Sequence, residues 1–77
     1  MVIGDIKLAV NENNLKVGTN IARLRKLKGI SQEDFAFDIG YSKNHISSIE
    51  RGKKNITKKV VDAVVRYFDV DEEELYK

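Results

Sequence analysis

The 77-residue chain has no cysteine and no proline. Without cysteine there can be no disulfide framework, no thiol nucleophile and no cysteine-held zinc or iron–sulfur centre. Without proline, and with only 5 glycines, collagen-like and Pro-rich disordered classes are excluded as well. A single histidine, His45, leaves nothing from which to build a histidine-rich metal centre, and the sequence calls for no cofactor. Apolar runs are short. None approaches the ~18 residues a bilayer-crossing helix needs, so no membrane association is expected. Met1 to Val10 carries Asp5 and lacks a basic leader and a small-residue cleavage site, so it does not read as a signal peptide. Together with the missing cysteine this favours a cytoplasmic location.

What is present is a small, charged, helix-favouring chain: 42% hydrophobic, 34% charged, formal net charge +2. At this length one small domain with a thin stability margin is expected. Helical punctuation recurs along it. Thr19 or Asn20 can cap a first helix with Ile21, Leu24 and Leu27 on its apolar face, stopped by Gly29. Ser31 opens a second block, with Asp34 placed as in a capping box, Phe35, Ala36 and Ile39 inward, and Gly40 as the stop. Ser42 opens a third, 42–51, with Ile46 and Ile49 inward and Gly52 beyond it. After a polar loop, Thr57 caps a fourth helix. Its Val60, Val61, Val64, Val65 and Phe68 recur at helical spacing, although valine itself favours strands. Asp71 is placed to cap a last short turn carrying Leu75.

Residues 1–16 form an arm of a different kind. Ile6, Leu8 and Val10 alternate as in a short strand, Asp5 could equally cap a helical turn, and Asn11, Asn13 and Asn14 look like a turn. The arm is read as partly ordered, or as packing against the domain 17–77 or a second subunit.

Two short helices joined by a glycine-containing turn, within 32–51, have the spacing of a helix-turn-helix. Ala36 falls where the helices approach most closely, and Gly40 where a positive φ is expected. From Val17 to Leu75 the chain resembles the lambda-repressor-like, or Xre-type, family of helix-turn-helix transcription regulators. The residues that carry the resemblance are Leu24-Arg25 with Lys28-Gly29, then Ser31-Gln32-Glu33, then Ile46 to Lys53.

The resemblance implies an all-α compact bundle of about five helices, a third helix that enters the DNA major groove, and a homodimer on a pseudo-palindromic operator. On helix 42–51 it leaves Lys43, Asn44, Ser47 and Ser48 facing base edges: Lys43 suits guanine, Asn44 suits adenine, and the serines are short adaptable partners. Gln32 corresponds to a phosphate contact at the start of the second helix, Ser42 to a cap that can also touch the backbone, and Arg51, Lys53, Lys54 and Asn55 to a phosphate-gripping loop. His45 is placed for backbone contact, with no metal role. Arg25 and Glu50 should pair between the first helix and the end of the recognition helix. Val70, Leu75 and Tyr76 are the expected dimer contacts.

Phe37 stands where a long polar residue is usual and Tyr41 where a small aliphatic is common, and a covering arm or second subunit is expected over Phe37. Ile56 and Lys58 also depart from the family pattern. Phage repressors, restriction–modification controller proteins and antitoxins all fit the resemblance. An antitoxin or protein-interaction module is the alternative to a DNA-binding repressor. No nucleophile–base pair, catalytic carboxylate pair or phosphate loop supports an enzyme, and nothing calls for a small-molecule ligand. Charge is unevenly spread. Between positions 43 and 59 six lysines and arginines face the single acid Glu50, whereas Asp69, Asp71, Glu72, Glu73 and Glu74 crowd the far end.

Overall fold

The computed structural model describes residues 12–77, and these form helices α1 (Glu12–Lys28), α2 (Gln32–Ile39), α3 (Lys43–Glu50) and α4 (Lys58–Phe68), then a 3₁₀ turn, Glu72–Leu75. Among the described residues there is no strand. The alternating stretch Ile6 to Val10 lies outside them.

Hydroxyl caps set the starts of three helices. The side chains of Ser31, Ser42 and Thr57 accept from the backbone N–H of Asp34, His45 and Val60 at 3.0, 3.0 and 3.3 Å, each satisfying an amide that has no partner within its helix. Gly29, Gly40 and Gly52 adopt left-handed φ after the first three helices, which is the stop expected of them. Asp71 precedes the 3₁₀ turn but makes no side-chain cap.

α4 is a helix despite its valines. Val60, Val61 and Val64 are buried and Val65 and Phe68 pack against them, so burial of one continuous face outweighs a small loss of propensity. The core joins this face to Val17, Ile21, Phe35, Ala36, Ile46, Ile49 and Leu75.

α1 departs from the sequence reading in two ways. It starts no later than Glu12, so Asn13 and Asn14 are helical rather than a turn, and Thr19 and Asn20 lie inside the helix. Tertiary contacts hold the added turns: Val17 is in the core, Asn14 donates to Asn55 Oδ1 at 3.1 Å, and Asn20 donates to the Leu75 carbonyl at 2.9 Å. Leu27 is 74% exposed. Six residues beyond Ile21 the helix has turned about 240°, so the inward stripe is Val17, Ile21 and Leu24 instead.

Candidate nucleic-acid interface

α3 presents the candidate face. Ile46 and Ile49 are buried, and this pins the opposite side of the helix outward. Lys43 and Asn44 are exposed there, with Ser47 and Ser48 half-buried at the edges. Arg51, Lys53, Lys54 and Asn55 continue as an exposed loop. The chain leaves the helix through a tight exit: Gly52 N–H donates to the Ile49 carbonyl at 3.0 Å and Lys53 N–H to that of Ser48 at 2.9 Å. Arg51 folds back, its Nε 3.3 Å from the Ser47 carbonyl.

The orientation of α3 is set by a buried polar joint. Arg25 donates from Nε and Nη2 to the two carboxylate oxygens of Glu50 at 2.8 and 3.2 Å, a fork geometry that fixes direction as well as distance. Its Nη1 donates to the Ile30 carbonyl at 2.8 Å. Gln32 adds a third donor to Glu50, Nε2 to Oε1 at 2.9 Å. One carboxylate at the end of α3 therefore ties α1, α2 and the turn between them together. Among the described residues no buried side-chain polar atom lacks a partner.

The remaining candidates are more dispersed. Ser42 is exposed and occupied as a cap. His45 is half-buried, its ring 4.8 Å from that of Tyr41, so Tyr41 forms a stacking wall at the start of α3. Of the expected dimer contacts, Val70 is half-buried and Tyr76 exposed, but Leu75 is 0% exposed within its own chain. Leu75 is a core residue and no partner can reach it. Phe37 is 84% exposed, and the part of the arm expected to cover it lies outside the described residues.

Sequence reading missed two contributors. The first is Gly18, where a Cβ would overlap the carbonyl oxygen of Ile49 and crowd the backbone of Glu50. Only glycine lets α1 approach α3 this closely. Its signal is the heptad step from Gly18 to Arg25, which places both on the stripe facing α3. The second is the brace of α1 on the basic loop, made by Asn14 on Asn55 and by Leu15 against Gly52. An added Cβ at Gly52 would come 2.7 Å from Leu15 Cα.

The chain is similar to known proteins in sequence and in fold. A helix-turn-helix family model matches residues 21–75. An uncharacterised HTH-type transcriptional regulator, y4dJ of Sinorhizobium fredii, is 49% identical over 41 residues, covering 53% of each chain. Antitoxin PezA of Streptococcus pneumoniae is 33% identical over 54 residues, which is 70% of this chain and 34% of PezA. Control protein C.MunI of a Mycoplasma species is 39% identical over 49 residues, 62% of this chain and 66% of that one. The chain thus spans from a third to two thirds of the length of these relatives. Among solved structures, the restriction-modification controller protein C.AhdI of Aeromonas hydrophila superposes with a TM-score of 0.77 at 29% identity, over 84% of this chain and 94% of its own. With Arg25, Glu50 and the three hydroxyl-capped helices α2, α3 and α4 all inside the matched span, the chain belongs to the lambda-repressor-like, Xre-type helix-turn-helix family.

Proposed function

We propose that this protein is a sequence-specific double-stranded DNA-binding transcription regulator that reads an operator with α3, as a homodimer. The observation that carries the reading is the outward face of α3, Lys43 and Asn44 exposed beside Ser47 and Ser48, on a helix whose direction is fixed by the Arg25–Glu50–Gln32 joint. Lys43 donates to guanine and Asn44 pairs with adenine, while the serines adapt to either. Arg51, Lys53, Lys54 and Asn55 grip the phosphates beyond the helix, and Ser42, His45 and the second N–H of Gln32 meet the backbone at its start. Val70 and Tyr76 form the edge of the dimer contact.

Selection of bound sequences from a random DNA pool, followed by titration of salt, tests the reading. It predicts a defined operator and an affinity that falls with salt at a log–log slope of about −0.9 per phosphate neutralised. No enrichment and a flat salt response would refute it. The similarity to antitoxin PezA supports a second reading, in which the same scaffold binds a protein partner and regulates its own gene. That reading requires a partner bound off DNA.

A further inference from the structure

Two large apolar side chains stand clear of the described surface, Phe37 at 84% and Leu27 at 74% exposure. Their electrostatic settings are opposite. Phe37 projects from the outer side of α2, flanked along that helix by Glu33, Asp34 and Asp38, and α2 contains no cation. Leu27 borders an open groove of about 540 Å³ on α1, shared with Thr19, Ala22, Arg23 and Lys26 and lined also by Glu50 of α3. The charge of Glu50 is already satisfied by Arg25 and Gln32. Arg25 is turned inward and Lys28 lies over the Tyr67 ring at 5.5 Å. Arg23 and Lys26 are the cations left at the groove, and neither makes an ion pair among the described residues.

We propose that the acidic Phe37 knob of one copy of this chain seats in the basic Leu27 groove of a second copy. The two patches complement each other in sign, an aromatic ring with three acids against an apolar trough with two cations. Either patch meeting its own kind would set like charges face to face, so the contact runs from knob to groove. Repeated between copies it gives rings or open chains; reciprocated about a twofold axis it gives a dimer. One aromatic anchor and one groove place it among the small, weak interfaces, which form at high concentration or when copies are already held close. The contact needs no DNA and is distinct from the edge at Val70 and Tyr76.

Sedimentation velocity over a rising concentration series, on the full chain without DNA, tests this. Phe37→Ser and Leu27→Ser should each remove an increment of association present in the parent protein, moving its onset about tenfold or more higher in concentration. Both positions are exposed, and circular dichroism checks that each variant folds. Mixing the two variants should restore association, because one supplies an intact knob and the other an intact groove. Lys26→Glu and Glu33→Lys should each weaken it singly and recover it when combined in one chain. Association that ignores both serine variants, or a mixture no better than its components, overturns the proposal. If association appears only once residues 1–11 are removed, those residues occupy the groove or cover the knob, and the proposal fails in their favour.

Discussion

α2 leans on two joints of opposite chemistry. Toward α3 and α1 it is fastened by Gln32, Glu50 and Arg25, whose paired side chains are only 10% and 6% exposed at Arg25 and Glu50. Toward α4 it is fastened by Phe35, whose ring centroid lies 5.3 Å from that of Tyr67 and 5.2 Å from that of Phe68. The aromatic joint is the larger store of stability, because apolar burial is non-directional and scales with area. The polar joint contributes direction. A buried ion pair roughly offsets its own desolvation, yet its fork admits one relative orientation of the helices it joins. The joint that orients the candidate reading helix is the one that adds least net stability.

Removing half of the polar joint should produce the largest effect. Arg25→Ala strands the Glu50 carboxylate and should cost roughly 3–5 kcal/mol by urea denaturation. The sharper variant is the double replacement Arg25→Met with Glu50→Leu. It should be more stable than Arg25→Ala by about 1–3 kcal/mol, because no buried charge is left unpaired and what remains is the loss of partners at the Ile30 carbonyl and the Gln32 amide. Its DNA affinity should nevertheless fall for all sequences alike, since α3 has lost its reference direction. If the double variant were as unstable as Arg25→Ala, the joint would be a stability element and the contrast with the aromatic side would collapse.

Gly18→Ala attacks the same side through packing. The new methyl meets the Ile49 carbonyl and the Glu50 backbone, so α1 must retreat from α3 at a cost of about 1–3 kcal/mol. The nearby Lys16→Ala, at an exposed site of the same helix, should change stability by less than ~0.5 kcal/mol. Equal losses at the two positions would show that α1 tolerates displacement and that the close approach has no structural weight.

How much of this was legible in the sequence depends on whether a feature is local. Ser31, Ser42 and Thr57 announce their helices because a capping hydroxyl acts within three residues, and Gly40 marks a stop through its own φ. The valine spacing of α4 betrays its buried face for the same reason. The outward side of α3 follows from Ile46 and Ile49. The start of α1 was not legible. Asn13 and Asn14 are turn-formers on their own, and what keeps this end helical is contact with residues about forty positions away. Leu75 was misread because an apolar residue near a chain end looks alike whether its own core or a partner buries it. The Gln32 tie to Glu50 was also hidden, since an amide that suits a phosphate suits a carboxylate equally.

Base readout separates orientation from recognition. Lys43→Ala or Asn44→Ala should cost about 1–3 kcal/mol of DNA affinity and relax preference at one base position. Lys53→Ala should weaken every sequence alike and reduce the salt slope by about 1. Both classes should leave stability within about 0.5 kcal/mol, as these side chains are exposed. Competition titrations with single-base operator variants distinguish the two patterns. Uniform loss on replacing Lys43 and Asn44 would remove them from the reading face.

The smallest effect belongs to the polar bond on the aromatic side. Tyr67 donates its hydroxyl to Asp38 Oδ2 at 2.6 Å. That hydrogen bond, with partial burial and the charges of Asp38 and Asp34, holds the phenol's pKa above its ordinary value. A group with a raised folded-state pKa contributes stability that is fully present below its unfolded pKa, about 10 for tyrosine, and is lost as pH rises through the folded value. Tyr67→Phe should therefore cost about 1 kcal/mol at pH 7, and the gap from the parent should narrow above pH ~10 as the parent's phenol ionises beside two carboxylates. Urea midpoints of both proteins at pH 7 and at pH 11 measure it, the many lysines cancelling in the difference. A gap that stays constant would mean that the hydroxyl contributes through packing alone, leaving the aromatic joint wholly apolar in its energetics.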